Sequence, residues 1–215
     1  MSRRRIALAG VVAAALAPAP ALAHPHVWVT ARSEIVYGPD GRMSAIRHAW
    51  TFDEMFASFA TQGLDADGDG KLTREELAPL AEVNVTSLKE FGFFTFSKNG
   101  ETKVVFGDPV DYWLEMNGKD LTLHFTLPVK AAAPEKGVSL KVEVYDPTYF
   151  VSFEFAKEHP AKLVDAPAGC GLDFERPKPA NEETSKKLSE SFFTGLSPGA
   201  NFGARFSNAI SVSCR

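Results

Sequence analysis

After its first 23 residues the chain lacks any long apolar run, so the sequence predicts a mature protein that is not embedded in a membrane. Signatures of catalysis are also missing, since there is no nucleophile elbow, no His-Glu-x-x-His pair and no glycine-rich phosphate loop. Cysteine is scarce, with two in 215 residues, and neither has another cysteine or a histidine near it in sequence. These absences argue against an enzyme and against a cysteine-ligated metal site.

The first 23 residues have the three parts of a cleavable export signal. Arg3, Arg4 and Arg5 form a basic start, Ile6 to Ala17 is mostly apolar, and Ala21-Leu22-Ala23 fits the small-x-small cleavage rule. A twin-arginine route and the general secretory route fit equally well. The sequence predicts export and cleavage after Ala23.

Positive charge is also scarce once this segment is removed. It holds three of the 23 basic residues and no acidic residue, so cleavage leaves 20 basic against 27 acidic residues and a net charge of −7. Nucleic-acid binding calls for a basic face, so no nucleic-acid partner is expected.

The two cysteines, Cys170 and Cys214, are 44 positions apart in the C-terminal part of the chain. In an exported protein an even pair favours a disulfide. It would tie the last strand to the core and stabilise the fold by about 3–4 kcal/mol.

The pattern after residue 24 predicts a β-rich α+β fold. Residues 27–52 read as a hairpin around the turn 38–41, and further short strands follow from Phe91, with hairpin turns at Asn99-Gly100 and Asn117-Gly118. Helical spacing appears at 53–60 and 77–88, and another helix is expected near 181–193. We therefore expect one mainly antiparallel, β-sandwich-like domain over 24–215, with a helix–loop–helix insert at about 53–90.

The most specific motif is "DADGDGKLTREE" at 65–76, which matches an EF-hand calcium loop. Gly70 stands where the loop turns sharply. The six predicted calcium-binding positions, with Lys71 contributing its carbonyl, are Asp65, Asp67, Asp69, Lys71, Thr73 and Glu76. The alternative is an acidic surface turn before a helix. A single loop in an exported protein fits a weak structural calcium site, of about 10⁻⁴–10⁻³ M affinity, better than a sensor.

The histidines predict a second, transition-metal site. Cleavage after Ala23 would make His24 the N-terminal residue, where the α-amine and the ring nitrogen can chelate one ion, and imidazole suits Zn, Cu and Ni. The square-planar mode that uses a third-position histidine is excluded, because Pro25 has no N–H to ionise.

Further ligands for this site are expected from His26, which shares strand parity with His24, and from His124, which lies off the apolar face of "LTLHFTL". His48 can join from the second strand of the first hairpin. The alternative is that each is an ordinary surface histidine, as His159 is expected to be. Asp146, in "VYDPTYF", is interpreted as part of a strand-ending turn.

The stretches "AHPHVWV", "WTFDEMF", "DADGDGKLTREEL", "LTLHFTLP", "VEVYDPTYFVSFEF" and "APAGC" together resemble a domain-of-unknown-function family, number one thousand and seven. It is also labelled a periplasmic component of an uncharacterised ABC-type transport system. The resemblance implies export to the periplasm of a Gram-negative cell, association with nickel/cobalt-type permeases, and His24, His26 and His124 at matching positions.

Three functions remain open on the sequence alone. The favoured one is a periplasmic accessory protein that binds Ni, Co, Zn or Cu, has a structural calcium site and acts beside an inner-membrane metal permease. The alternative is a non-enzymatic, calcium-stabilised interaction module with no transition-metal role. A copper redox enzyme using an N-terminal histidine chelate lacks any other supporting chemistry in the chain.

Overall fold

Eleven strands and two α-helices make up the described part of the computed structural model, which covers residues 25–131, 139–177 and 201–214. The predicted export signal, His24 and the predicted helix near 181–193 lie outside those residues. The helices are α1 (Glu54–Ala60) and α2 (Arg74–Leu88), and 3₁₀ segments occupy Lys89–Phe94 and Phe202–Phe206. The strands are β1 (Val27–Tyr37), β2 (Met43–Phe52), β3 (Thr95–Asn99), β4 (Thr102–Phe106), β5 (Val110–Asn117), β6 (Asp120–Ala131), β7 (Leu140–Val144), β8 (Val151–Phe155), β9 (Ala161–Val164), β10 (Cys170–Glu175) and β11 (Asn208–Cys214).

The strands form one curled sheet along a continuous hydrogen-bonded path, in the order β10-β11-β7-β3-β4-β6-β2-β1-β8, with β5 added to β6 and β9 to β1. The β-rich α+β class is confirmed. The structure differs from the expected sandwich of separate sheets, because β6 pairs with β4 near its C-terminal end and with β2 and β5 along the rest. Pairing is antiparallel except where β8 and β9 run parallel to β1.

Alternation along β1, β2 and β6 separates an inner face from an outer face. Inward side chains such as Ile46, Trp50 and Phe125 are almost fully buried, while the residues between them are exposed or half-buried. Helix α2 contributes Leu77 and Ala81 to the core, which is the spacing of one helical face. A continuous core on one side therefore leaves the other face of these strands open to ligands.

The helices lie between β2 and β3 in the chain, where the insert was predicted. The prediction of a strand from Phe91 is wrong at its start. Gly92 and Phe93 adopt left-handed backbone angles within the 3₁₀ segment, so β3 begins only at Thr95. Within the described ranges, no helix is long and apolar enough to cross a bilayer.

Two sequence-based expectations in the C-terminal half of the chain are confirmed. Cys170 and Cys214 face each other across β10 and β11 and form the predicted disulfide. The interpretation of Asp146 as a turn residue is also confirmed, because its buried carboxylate accepts the backbone N–H groups of Thr148 (2.8 Å) and Val151 (2.9 Å).

Candidate functional site

The acidic loop 65–76 leads into α2, whose first turn it caps. Thr73 and Glu76 form a capping box, in which the Glu76 carboxylate accepts the Thr73 N–H at 2.9 Å and Thr73 Oγ1 accepts the Glu76 N–H at 3.2 Å. The same carboxylate reaches back to the Ala66 N–H at 2.8 Å. Hydrogen bonds from Thr73 and then Ala66 lower the pKa of Glu76, so it is a carboxylate at neutral pH.

Three predicted calcium ligands converge in this loop. One oxygen from each of Asp65, Asp67 and Glu76 lies within 4.8 Å of the others. Calcium–oxygen distances of about 2.3–2.6 Å require that any two ligands of one ion lie no more than roughly 5 Å apart, and the three oxygens meet this condition. Asp69 is not part of this group of three, and its carboxylate accepts the Lys71 N–H at 2.8 Å. Gly70 has the positive φ of 79° that the sharp turn needs.

The entering side of the loop departs from an EF-hand. Helix α1 ends at Ala60, and Gly63 has a φ of 75°, so a turn rather than helix leads to Asp65. The EF-hand assignment therefore stays a prediction.

His48 is a core residue. It is 3% exposed, with Nδ1 3.0 Å from Ser33 Oγ and Nε2 3.1 Å from Thr95 Oγ1. Its ring packs against Trp50 and Phe125 at centroid distances of 5.2 and 5.1 Å. Burial lowers the pKa of His48 to about 3, so the imidazole is neutral at physiological pH. With both ring nitrogens paired, His48 offers no free lone pair to a metal in this conformation.

His124 lies on the outer face. Its Nε2 is 2.9 Å from Glu115 Oε1, and its ring is stacked on Trp113 with a centroid distance of 4.6 Å and an interplanar angle of 7°. The Arg74 guanidinium, at the start of α2, lies 4.8 Å from the Trp113 ring. Sequence parity identified the correct face for His124 but did not indicate Glu115 or Trp113 as its neighbours.

The structure does not bring His26 and His124 together. His124 pairs with Ala49, which pairs with Arg32, so His124 is level with a residue six positions after His26. At about 3.3 Å per residue, the offset along the strands is roughly 20 Å. His26 is instead exposed beside Phe150, with ring centroids 4.7 Å apart. His159 is exposed, as expected.

A cleft of about 430 Å³ opens on the outer face near the start of β1. Trp28, two residues after His26, lines it, and Arg32 is the single cation among its lining residues. Its acidic lining residues are Asp53, Glu54, Asp120 and Glu154. Asp53 is committed to the fold, because its carboxylate accepts the Trp28 N–H and the Phe56 N–H, both at 2.9 Å. Glu54 is ion-paired, with Lys119 Nζ 2.6 Å from its Oε1. Counting Arg32 and Lys119 against the four carboxylates, the cleft still has an excess of negative charge.

A second cleft, of about 350 Å³, lies farther along the same face, where β1, β2, β5 and β6 meet. Arg32, Arg47, Asp111, Trp113 and His124 are among its lining residues. The alternating sequence patterns of β1 and β6 place Arg32 and His124 on the outer face. The exposure of Asp111 in this cleft instead depends on a register shift in β5, between Val110 and Trp113, which no sequence pattern indicates.

The sequence is similar to a protein family and to two proteins whose descriptions name no activity. A protein of Haemophilus influenzae described only as uncharacterized is 22% identical over 137 residues, which cover 64% of this chain and 65% of that protein. An uncharacterized 15.5 kDa protein from the trpE 3′ region of Spirochaeta aurantia is 28% identical over 116 residues, which cover 54% of this chain and 82% of that protein. The match to this chain thus spans just under two thirds of the Haemophilus protein. The model of a family described as a protein of unknown function, DUF1007, matches residues 9–214, and this chain therefore belongs to the DUF1007 family.

Proposed function

We propose that the mature protein is a periplasmic accessory protein that binds a transition-metal ion (Ni, Co, Zn or Cu) and passes it to an inner-membrane permease. The observation that carries this proposal is the acidic cleft beside the N-terminal end of β1, next to the segment that holds His26. Its four lining carboxylates, one of which (Glu54) is paired with Lys119, outnumber the cations beside them, so the cleft should attract cations to the start of β1. The permease partner rests on the family resemblance alone.

The metal ligands in this proposal are the α-amine and imidazole of His24 together with His26. His124 lies too far along the sheet to share an ion with His26 (roughly 20 Å), and His48 has both nitrogens occupied. Exposed carboxylates of the adjacent cleft, such as Glu154, are available to guide the ion toward the histidines. Imidazole is the better ligand for Zn, Cu and Ni, so the carboxylates attract the ion and the histidines hold it.

Titration calorimetry with Zn²⁺, Ni²⁺, Co²⁺ and Cu²⁺ tests this proposal on protein that begins at His24. We expect submicromolar binding of at least one ion. Retaining Ala23 should weaken that binding by at least roughly tenfold, because the amine then no longer belongs to a histidine. His26→Ala should also weaken it, whereas the matched control His159→Ala should not. Equal affinity in all four proteins contradicts the proposed ligands.

We also propose that loop 65–76 binds calcium and stiffens the connection between α1 and α2. Support comes from the ligand spacing in the sequence and from the convergence of Asp65, Asp67 and Glu76 within 4.8 Å. The proposed role is structural.

An interaction module is the second candidate, favoured by the apolar side chains that the two helices expose. Met55 and Phe59 on α1 are 68% and 73% exposed, and Val83 on α2 is 62% exposed. Large exposed apolar groups are common at protein interfaces. Cross-linking in intact cells tests this candidate: a partner captured by the wild type should be lost with Phe59→Ser and kept with the control Phe174→Ser. Capture that is unaffected by Phe59→Ser counts against it.

A further inference from the structure

At the base of the second outer-face cleft lies Ala49, between Arg32 on one side and His124 on the other. Ala49 is the cross-strand partner of Arg32 on one side and of His124 on the other, and His124 pairs in turn with Trp113. The four residues thus form one row across β1, β2, β6 and β5, with strands about 4.8 Å apart. Because Ala49 has only a methyl group, the row dips between the Arg32 side chain and the flat Trp113–His124 stack.

The walls of this cleft carry opposite charges that the protein itself does not pair. Arg32 and Asp111 both line it, and within the described residues neither side chain makes a hydrogen bond or an ion pair. Arg47 is different, because it donates to Glu34 at 3.1 Å, and Glu34 also accepts from Lys162 at 2.8 Å. Burial alone would raise the pKa of Glu34, but the hydrogen bonds and charges of Lys162 and Arg47 outweigh burial and lower it. Arg32 and Asp111 are thus the charges left available for a ligand.

The position of Asp111 results from a β-bulge. Val110 pairs with Thr126 and Trp113 with His124, so two residues of β5, Asp111 and Tyr112, oppose the single residue Phe125. Phe125 points into the core, and a regular strand would direct the residue opposite it inward as well. The bulge instead leaves Asp111 exposed, with a left-handed φ of 49°. Bulges are enriched at sheet edges and next to active sites, where they redirect a side chain, and strained backbone angles cluster at functional sites.

We propose that this cleft binds a small zwitterion of the α-amino-acid class. Its carboxylate pairs with Arg32, its ammonium group pairs with Asp111, and its side chain lies against the Trp113–His124 stack. A volume of about 350 Å³ is at the small end of ligand pockets, which matches a ligand of this size. Guanidinium–carboxylate pairing is strong, and an aromatic wall provides apolar contact. Neither of the proposed transition-metal ligands, His24 and His26, is among the residues described as lining this cleft.

Binding of the twenty free amino acids to the mature protein, each at up to about 10 mM, tests the proposal by calorimetry and by tryptophan fluorescence, since Trp113 lines the cleft. We expect saturable binding of at least one, with a change in emission. The same compound without its carboxylate, and without its amino group, should each bind at least roughly tenfold more weakly. Absence of binding by all twenty, or equal binding of the deaminated acid, overturns the proposal.

Two variants locate the ligand. Arg32→Gln and Asp111→Asn should each weaken binding by at least roughly tenfold, because each removes one unpaired charge. Asparagine also tolerates left-handed backbone angles, so the melting temperature of Asp111→Asn should match that of the wild type and show that the fold is intact. Arg42→Gln, in the turn between β1 and β2 where Arg42 lies 4.0 Å from Asp40, is the matched control and should bind normally. Unchanged affinity in both Arg32→Gln and Asp111→Asn overturns the proposed site.

Discussion

His48 and His124 lie on neighbouring strands but on opposite faces of the sheet. In the β2–β6 register, His48 pairs with Phe125 and His124 pairs with Ala49, a shift of one residue. Since side chains alternate along a strand, that shift puts His48 in the core and His124 on the outer surface. Two residues that the sequence grouped as ligands of one ion therefore lie in different environments, one in the core and one at the surface.

The buried His48 makes the fold sensitive to acid. Its pKa is about 3 in the folded protein and about 6.5 in an unfolded chain, so below pH 6.5 protons bind first to the unfolded state. Its contribution is fully present above pH 6.5 and is lost as the pH falls toward 3. The free energy of unfolding should fall by up to about 1.4 kcal/mol per pH unit in this window from His48 alone.

His48→Gln isolates this contribution, because glutamine is neutral at every pH and can still hydrogen-bond to Ser33 and Thr95. We expect the variant to be less stable than the wild type at pH 7.5 but to lose less stability between pH 6.5 and 4.5. Urea unfolding at several pH values measures the difference between the two slopes. Parallel curves for the two proteins would show that His48 does not titrate as its burial requires.

Local patterns predicted local structure well. Alternation and the turn at 38–41 indicated the β1–β2 hairpin, and helical spacing at 77–88 located α2, which begins three residues earlier at Arg74. Long-range pairing was not readable. The parallel addition of β8 and β9 to β1, and the pairing of β6 with both β2 and β4, depend on packing between residues distant in sequence.

The sequence also could not predict which single residues meet in the outer-face clefts, because this too depends on long-range strand pairing. Strand parity placed His124 off the apolar face and His26 on the same side of the strand as His24. It did not give the offset of roughly 20 Å between His26 and His124, because that offset depends on the register of β1 with β2 and of β2 with β6. The bulge that exposes Asp111 likewise requires a mismatch in length between β5 and β6, which no residue type marks.

The disulfide between Cys170 and Cys214 closes a loop of 44 positions and joins two strands at their ends. The double variant Cys170→Ser, Cys214→Ser should reduce the free energy of unfolding by about 3–4 kcal/mol, mainly because its unfolded chain gains freedom. Urea denaturation of the oxidised wild type and of the double variant measures the effect. Reductant should shift the wild-type midpoint toward that of the variant and leave the variant unchanged, and a wild-type midpoint insensitive to complete reduction would contradict the prediction.

Glu76 and Glu75 provide a matched pair for the calcium proposal. Glu76→Gln removes a charged calcium ligand but keeps a side chain that can complete the capping box with Thr73, whereas Glu75→Gln removes a neighbouring charge of the same first helical turn. At about 10 mM calcium, a weak extracellular-type site should raise the wild-type melting temperature by a few degrees. Scanning calorimetry should show this rise in Glu75→Gln and not in Glu76→Gln. Calcium shifts of equal size in both variants, or no shift in the wild type, would rule out the site.

Gly203 anchors the C-terminal segment against the turn at Asp146. Its N–H donates to the Pro147 carbonyl at 2.9 Å, and a β-carbon at this position would overlap the Asp146 carbonyl oxygen. Gly203→Ala should therefore push the 3₁₀ segment off this turn and lower the free energy of unfolding by at least about 2–3 kcal/mol, as strongly overpacked sites do.

Gly171→Ala in β10 is the control, because nothing lies within 4 Å of the added carbon, and its effect should stay within about 0.5 kcal/mol. Urea unfolding of both variants measures the two values. Similar stability of Gly203→Ala and Gly171→Ala would mean that the tail does not pack against the Asp146 turn in solution. The position of β11 would then depend on its pairing with β7 and β10, on the disulfide and on the hydrogen bonds of Asn208 to β8.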